Sequence, residues 1–128
     1  MDKKFLELYF IDYLKLVSPE EKLIENLVNI KNILLRANKN GKKILIVGNG
    51  GSAAMASHVS VDLTKNAGIR CINFNEADLI TCFANDYGYE KWVGKAVEFY
   101  GDEGDVFIGI SSSGSSNNIL NGCRAARE

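Results

Sequence analysis

Over the first forty positions, apolar residues recur every three or four places, the spacing that gathers them on one face of a helix. Phe5, Tyr9, Tyr13 and Leu16 form one series, supported by Leu6, Phe10, Leu14 and Val17. Leu23, Leu27, Ile30 and Leu34 form a second stripe. Between them, Ser18-Pro19-Glu20-Glu21 predicts a helix start, with Ser18 as cap, Pro19 in the first turn and Glu21 completing a capping box. Gly41 supplies the stop.

From Lys42 the pattern changes. Ile44-Leu45-Ile46-Val47 is a continuous apolar run, as expected of a strand buried on both faces of a parallel sheet. The tight loop Gly48-Asn49-Gly50-Gly51-Ser52 follows, then a helix from Ala53 to about Thr64 and a short strand near Cys71–Phe74. Helical stretches are predicted around Leu79–Ala84 and Glu90–Tyr100, separated by the polar loop Asn85-Asp86-Tyr87-Gly88-Tyr89-Glu90. A second buried strand, Val106–Ile110, runs into Ser111-Ser112-Ser113-Gly114-Ser115-Ser116 and a final helix from about Asn117. Strands alternating with helices predict right-handed βαβ units and the α/β class. The expected organisation is a helical region over 1–40 and an α/β domain over 41–128. Only about three strands are predicted, fewer than the five or six of an average sheet, so a C-terminal part is expected beyond Glu128.

Composition narrows the function. The 128 residues are 46% hydrophobic, enough for a core, and carry a net charge of -1, which gives no global field for nucleic acid or an anionic membrane. No apolar run is long enough to span a bilayer, and Met-Asp-Lys-Lys does not open a signal peptide. Cys71, Cys82 and Cys123 lack metal-ligand spacing and read as reduced thiols, which points to a cytoplasmic location.

Two loops carry candidate chemistry, each directly after a buried strand, where open α/β sheets bind ligands. Gly48–Ser52 opens a helix, so its N–H groups suit an anion. It lacks the Gly-Lys-Ser/Thr of a Walker loop, and Ala53 stands where a dinucleotide fingerprint needs its third glycine. A plain tight turn would explain this loop equally well. The second loop places five serines among six residues before a helix, and hydroxyls with N–H groups bind phosphate without a lysine. A helix cap at Ser116 explains one serine but not Ser111, Ser112 and Ser113 as well. His58 and Asp62 lie four apart on one helical face, where they could hold a metal or move protons. Asp86 either caps a helix or reaches sugar hydroxyls.

Together, Gly48-Asn49-Gly50-Gly51-Ser52-Ala53-Ala54, His58, Asn85-Asp86-Tyr87-Gly88-Tyr89-Glu90 and Gly109-Ile110-Ser111-Ser112-Ser113-Gly114-Ser115-Ser116 resemble the phosphoheptose isomerases, sedoheptulose 7-phosphate isomerases of the sugar-isomerase (SIS) fold. The resemblance implies a parallel sheet sandwiched by helices and a ketose–aldose conversion that leads to heptose for lipopolysaccharide or other surface polysaccharides. It implies phosphate binding by Ser111, Ser112, Ser113 and Ser116. It assigns the rest of the sugar to Asn49, Gly50, Ser52 and Asp86, proton transfer to Asp62, and zinc to His58 and Asp62. It also implies a homo-oligomer, a tetramer in this family, assembled through the N-terminal helices. Three departures stand out. Asp62 replaces the usual glutamate, Lys65-Asn66 replaces a frequent Gly-Arg, and the family's second histidine and glutamine would fall beyond residue 128. The shorter carboxylate keeps an alternative open, a non-catalytic SIS regulator or protein-binding module that senses a sugar phosphate.

Overall fold

The structure is a computed structural model that describes residues 2–128. Its elements are α1 (Lys3–Val17), α2 (Glu21–Lys39), β1 (Ile44–Gly48), α3 (Gly51–Lys65), β2 (Cys71–Asn73), α4 (Ala77–Tyr87), α5 (Trp92–Tyr100), β3 (Val106–Ile110) and α6 (Asn117–Ala125). Two compact units divide at Asn32, inside α2.

In the first unit, Asp2 caps α1 by accepting the Lys4 N–H at 3.3 Å. Phe5, Tyr9 and Tyr13 stack along the helix with centroids 6.3 and 6.5 Å apart. No residue of α1 is buried. The capping box expected at Ser18 does not form. The Ser18 hydroxyl instead donates back to the Leu14 carbonyl at 2.9 Å and closes the C-terminus of α1. A serine between two helices can serve either neighbour, and here the preceding carbonyl takes it.

In the second unit, the three strands are parallel in the order β2-β1-β3, with Ile44 opposite both Cys71 and Val106 and Gly48 opposite Ile110. The prediction that β1 is buried on both faces holds, since Ile44 to Val47 are at most 1% exposed. Leu45 and Val47 face a cluster of Phe74, Trp92, Val93, Ala96, Val97 and Ile119. Ile44 packs with Ala37 and Ile69. Each such large side chain contributes on the order of 1.5–3 kcal/mol by leaving water. Five of the nine residues of α5 are buried. Trp92 is among them, and its indole N–H is enclosed without a partner.

One predicted boundary is corrected. Asn85, Asp86 and Tyr87 are the last residues of α4, and the connecting loop is only Gly88 to Lys91. Polar residues alone did not break the helix. Gly88, with φ +87°, does, and its N–H still bonds back to the Ala84 carbonyl.

Because the strands are parallel, all their carboxyl ends lie on one edge of the sheet and all their amino ends on the other. At the amino end, Lys43 Nζ contacts Asp105 Oδ2 at 2.5 Å and Asp102 Oδ2 at 2.6 Å. Asp105 also accepts the backbone N–H groups of Lys43 and Asp102, both at 2.9 Å. Burial alone would lower the Lys43 pKa, but its hydrogen bonds to Asp102 and Asp105 outweigh that and raise it. Burial likewise opposes ionisation of Asp105, and its bonds to Lys43 and Asp102 more than compensate, so its pKa falls. Among the described residues, no helix is long and apolar enough to cross a membrane.

Candidate sugar-phosphate site

Among the described residues, the carboxyl edge of the sheet carries no ion pair of this kind. It is built from amides and hydroxyls. β1 ends at Gly48, where a Cβ would lie 2.4 Å from the Ser52 carbonyl, so only glycine lets the chain fold straight back into α3. Gly50 then turns the backbone with φ +54°. Asn75 holds this turn from the next strand connection. Its side chain accepts the Gly48 N–H at 3.1 Å and donates to the Gly48 carbonyl at 2.8 Å, continuing the β1–β2 ladder with a side chain. Asn73 steadies Asn75 in turn, accepting its backbone N–H at 2.9 Å, and receives the Ser57 hydroxyl at 3.2 Å.

The serine loop closes on itself. Ser111 Oγ lies 3.4 Å from Ser113 Oγ and 3.3 Å from Ser116 Oγ, and Ser113 Oγ accepts the Ser115 N–H at 3.2 Å. Gly114, at φ +64°, makes the turn. Ser116 is the N-cap of α6 by backbone position, but its hydroxyl makes no cap bond. It turns toward Ser111 instead, which leaves N–H groups of the first turn of α6 open to an anion. Ser112 is exposed.

Asn49 connects the two loops. Its amide pairs with that of Asn118, in the first turn of α6, at 3.0 and 2.8 Å, and its Oδ1 receives the Tyr89 hydroxyl at 3.2 Å. Asn117 Nδ2 reaches Glu90 Oε1 at 3.1 Å, and Asn121 Nδ2 reaches the Glu90 carbonyl at 2.8 Å. Thus Asn49 ties the glycine turn, which holds Gly50 and Ser52, to the first turn of α6, directly after the serine loop. Asp86 does not join it, because its Oδ1 accepts from Asn85 at 2.9 Å and it bonds to neither loop. Reading the sequence motif by motif missed Asn73, Asn75 and Asn118. Asn73 ends β2, Asn75 lies in the loop after it and Asn118 is in the first turn of α6, and no local pattern marks them as partners.

His58 and Asp62 do share a face of α3, with Nε2 to Oδ2 at 3.5 Å, and both are exposed, 80% and 51%. Asp62 Oδ1 accepts from Asn66 at 2.9 Å. No cluster of three or more His, Cys, Asp or Glu able to hold a metal occurs among the described residues. Protein zinc sites use at least three such ligands, so these two donors do not fit a complete zinc site by themselves. Of the cysteines, Cys71 is half-buried and burial pushes its thiol up to about 11, which makes it a poor nucleophile.

A family model described as the SIS domain matches residues 9–128. The chain belongs to the SIS-domain family. This SIS domain is 41% identical to a phosphoheptose isomerase of Fusobacterium nucleatum over 112 residues, covering 84% of the chain and 54% of the relative. It is 43% identical to one from Helicobacter hepaticus over 103 residues, covering 76% and 53%. Among solved structures, phosphoheptose isomerase from Neisseria gonorrhoeae superposes with a TM-score of 0.90 at 32% identity, covering 98% of this chain and 68% of that one. The chain therefore spans about half the length of the curated relatives it matches.

Proposed function

We propose that this SIS domain binds a phosphorylated sugar as the substrate-holding part of a ketose–aldose isomerase, with sedoheptulose 7-phosphate as substrate. One observation carries the reading: three serine hydroxyls converge at the open N-terminus of α6, on the same sheet edge as the glycine turn. Phosphate would sit on Ser111, Ser112, Ser113 and Ser116, held by hydroxyls and N–H groups without a cation. Asn49 and Ser52 would contact the sugar, and Gly50 would let the backbone approach it. That remote binding energy would be used to position the reacting carbons.

Isomerisation takes a proton from the carbon beside the carbonyl and returns one to the former carbonyl carbon. Asp62 is the proton-transfer group proposed within this chain. Zinc would gain only two donors here, His58 and Asp62, so none of these steps is routed through a metal. The product would feed heptose into surface polysaccharide in the cytoplasm. The exposed apolar stripe of α1, with Phe5, Tyr9 and Tyr13 each 49–55% exposed, would be covered by further copies of the chain, as a tetramer.

A second reading has its own support. The Asp62 carboxylate is short and already engaged by Asn66 and His58, which suits a sugar-phosphate sensor that performs no chemistry. Assaying the full-length protein for conversion of sedoheptulose 7-phosphate, alongside calorimetric titration with the same compound, separates the two. Turnover lost on Asp62→Asn with binding retained supports the isomerase. Binding without turnover supports the sensor, and absence of binding removes both.

A further inference from the structure

Asn118 is the single buried polar residue among those described, 3% exposed, and it sits in a helix turn where its type is a poor former. Its whole hydrogen-bonding capacity toward Asn49 is used in a reciprocal pair. Asn49 Nδ2 donates to Asn118 Oδ1 at 3.0 Å, and Asn118 Nδ2 donates to Asn49 Oδ1 at 2.8 Å. The Tyr89 hydroxyl donates to that same Asn49 oxygen at 3.2 Å. A carboxamide offers two acceptor lone pairs and two N–H donors. For Asn49, both lone pairs and one N–H are occupied within the protein. The remaining valence is one N–H. The Tyr89 hydroxyl can accept as well as donate, so turning both amides together keeps all three bonds, and what these bonds fix is the place and plane of the Asn49 carboxamide.

We propose that Asn118 and Tyr89 are positioning residues that hold the Asn49 carboxamide in one place and plane, so that its remaining valence meets a sugar hydroxyl without rearrangement. This deepens the sugar-phosphate reading and rests on it. A group fixed before the ligand arrives loses no further freedom on binding, so more of its interaction appears as affinity.

A double-substitution cycle tests this, read by calorimetry with sedoheptulose 7-phosphate and, as a control, inorganic phosphate. Asn118→Ala should weaken sugar-phosphate binding about tenfold, yet have less than about a twofold effect in an Asn49→Ala background. Tyr89→Phe removes only an exposed hydroxyl and so guards against an unfolded Asn118 variant. It should weaken binding about threefold, again only when Asn49 is present. Inorganic phosphate should bind all variants within about twofold of the unsubstituted protein, because the serine loop is untouched. In the unliganded protein, one of the two Asn49 Nδ2 protons should exchange slowly with solvent and become fast in Asn118→Ala. Equal losses with and without Asn49, or two fast Asn49 protons in the unsubstituted protein, overturn the lock while leaving the sugar-phosphate reading intact. Failure of the unsubstituted protein to bind sedoheptulose 7-phosphate overturns the reading itself, and the lock's role in sugar binding with it.

Discussion

The two edges of the same three-stranded sheet are built from opposite materials. At the amino edge, Lys43 bridges Asp105 and Asp102 with ionic bonds of 2.5–2.6 Å, and the Asp105 and Lys43 side chains are 6% and 12% exposed. At the carboxyl edge, Asn49, Asn75, Asn118 and the serines of the 111–116 loop supply neutral groups, and the nearby Glu90 carboxylate is engaged by Asn117. The difference separates holding from binding. The ionic edge has spent its valences on the fold, and a ligand would have to compete with a formal charge pair. The neutral edge is pre-shaped yet keeps hydroxyls, N–H groups and a helix N-terminus unspent, and these suit a phosphate dianion without a buried cation to desolvate.

The sharpest break of the ionic edge is Asp105→Ala, which leaves Lys43 poorly exposed with one solvent-facing partner. A loss of about 3–5 kcal/mol of stability is expected, measured by denaturant unfolding, with phosphate affinity of the remaining folded fraction unchanged. The pH dependence follows from the same group. The folded-state pKa of Asp105 is depressed below its ordinary 3.8. Its contribution is therefore present above that value and is lost as pH falls through the lower folded-state pKa. Lys43 is raised above 10.5, so its contribution is present below 10.5 and is lost as pH rises through the folded-state pKa. Stability should decline in strong acid and in strong base, and the acid limb should shrink in Asp105→Asn.

At the neutral edge, Gly50→Ala forces a side chain onto φ +54°. About 1–3 kcal/mol of stability should be lost, with weakened sugar-phosphate binding, by thermal unfolding and calorimetry together. Ser113→Ala combined with Ser116→Ala should weaken phosphate binding about tenfold, near 1.4 kcal/mol, without changing the melting temperature by more than a few degrees. The smallest effect is expected back at the ionic edge. Asp102→Asn removes a carboxylate that is 76% exposed, and should cost under about 1 kcal/mol.

How far the sequence reveals this depends on the kind of signal. The apolar run at residues 44–47 could be read as a parallel strand because burial on both faces leaves no polar alternation, whereas the run at 106–110, read in the same way as a buried strand, is only half-buried, with Gly109 exposed. The serine loop could be read because no ordinary cap uses so many hydroxyls. Helix ends were less legible. Ser18 served the helix before it and not the one after, and Asn85 and Asp86 continued α4 until Gly88 stopped it. The asparagine lattice was not legible at all, since Asn49 and Asn118 are 69 residues apart and local pattern says nothing about which amides will meet. His58 and Asp62 met as their spacing implied, but pairing alone does not supply the further donors a metal requires.

The central claim is that the neutral carboxyl edge, and not the charged amino edge, receives the phosphate of a sugar phosphate. Titration of the isotopically labelled protein with sedoheptulose 7-phosphate, followed through its backbone amide signals, tests it most directly. Saturable shifts concentrated at residues 111–118 and 48–52 are predicted, with the amides of Lys43, Asp102 and Asp105 still. Shifts centred on that ionic cluster, or no saturable shift in the serine loop, would contradict it.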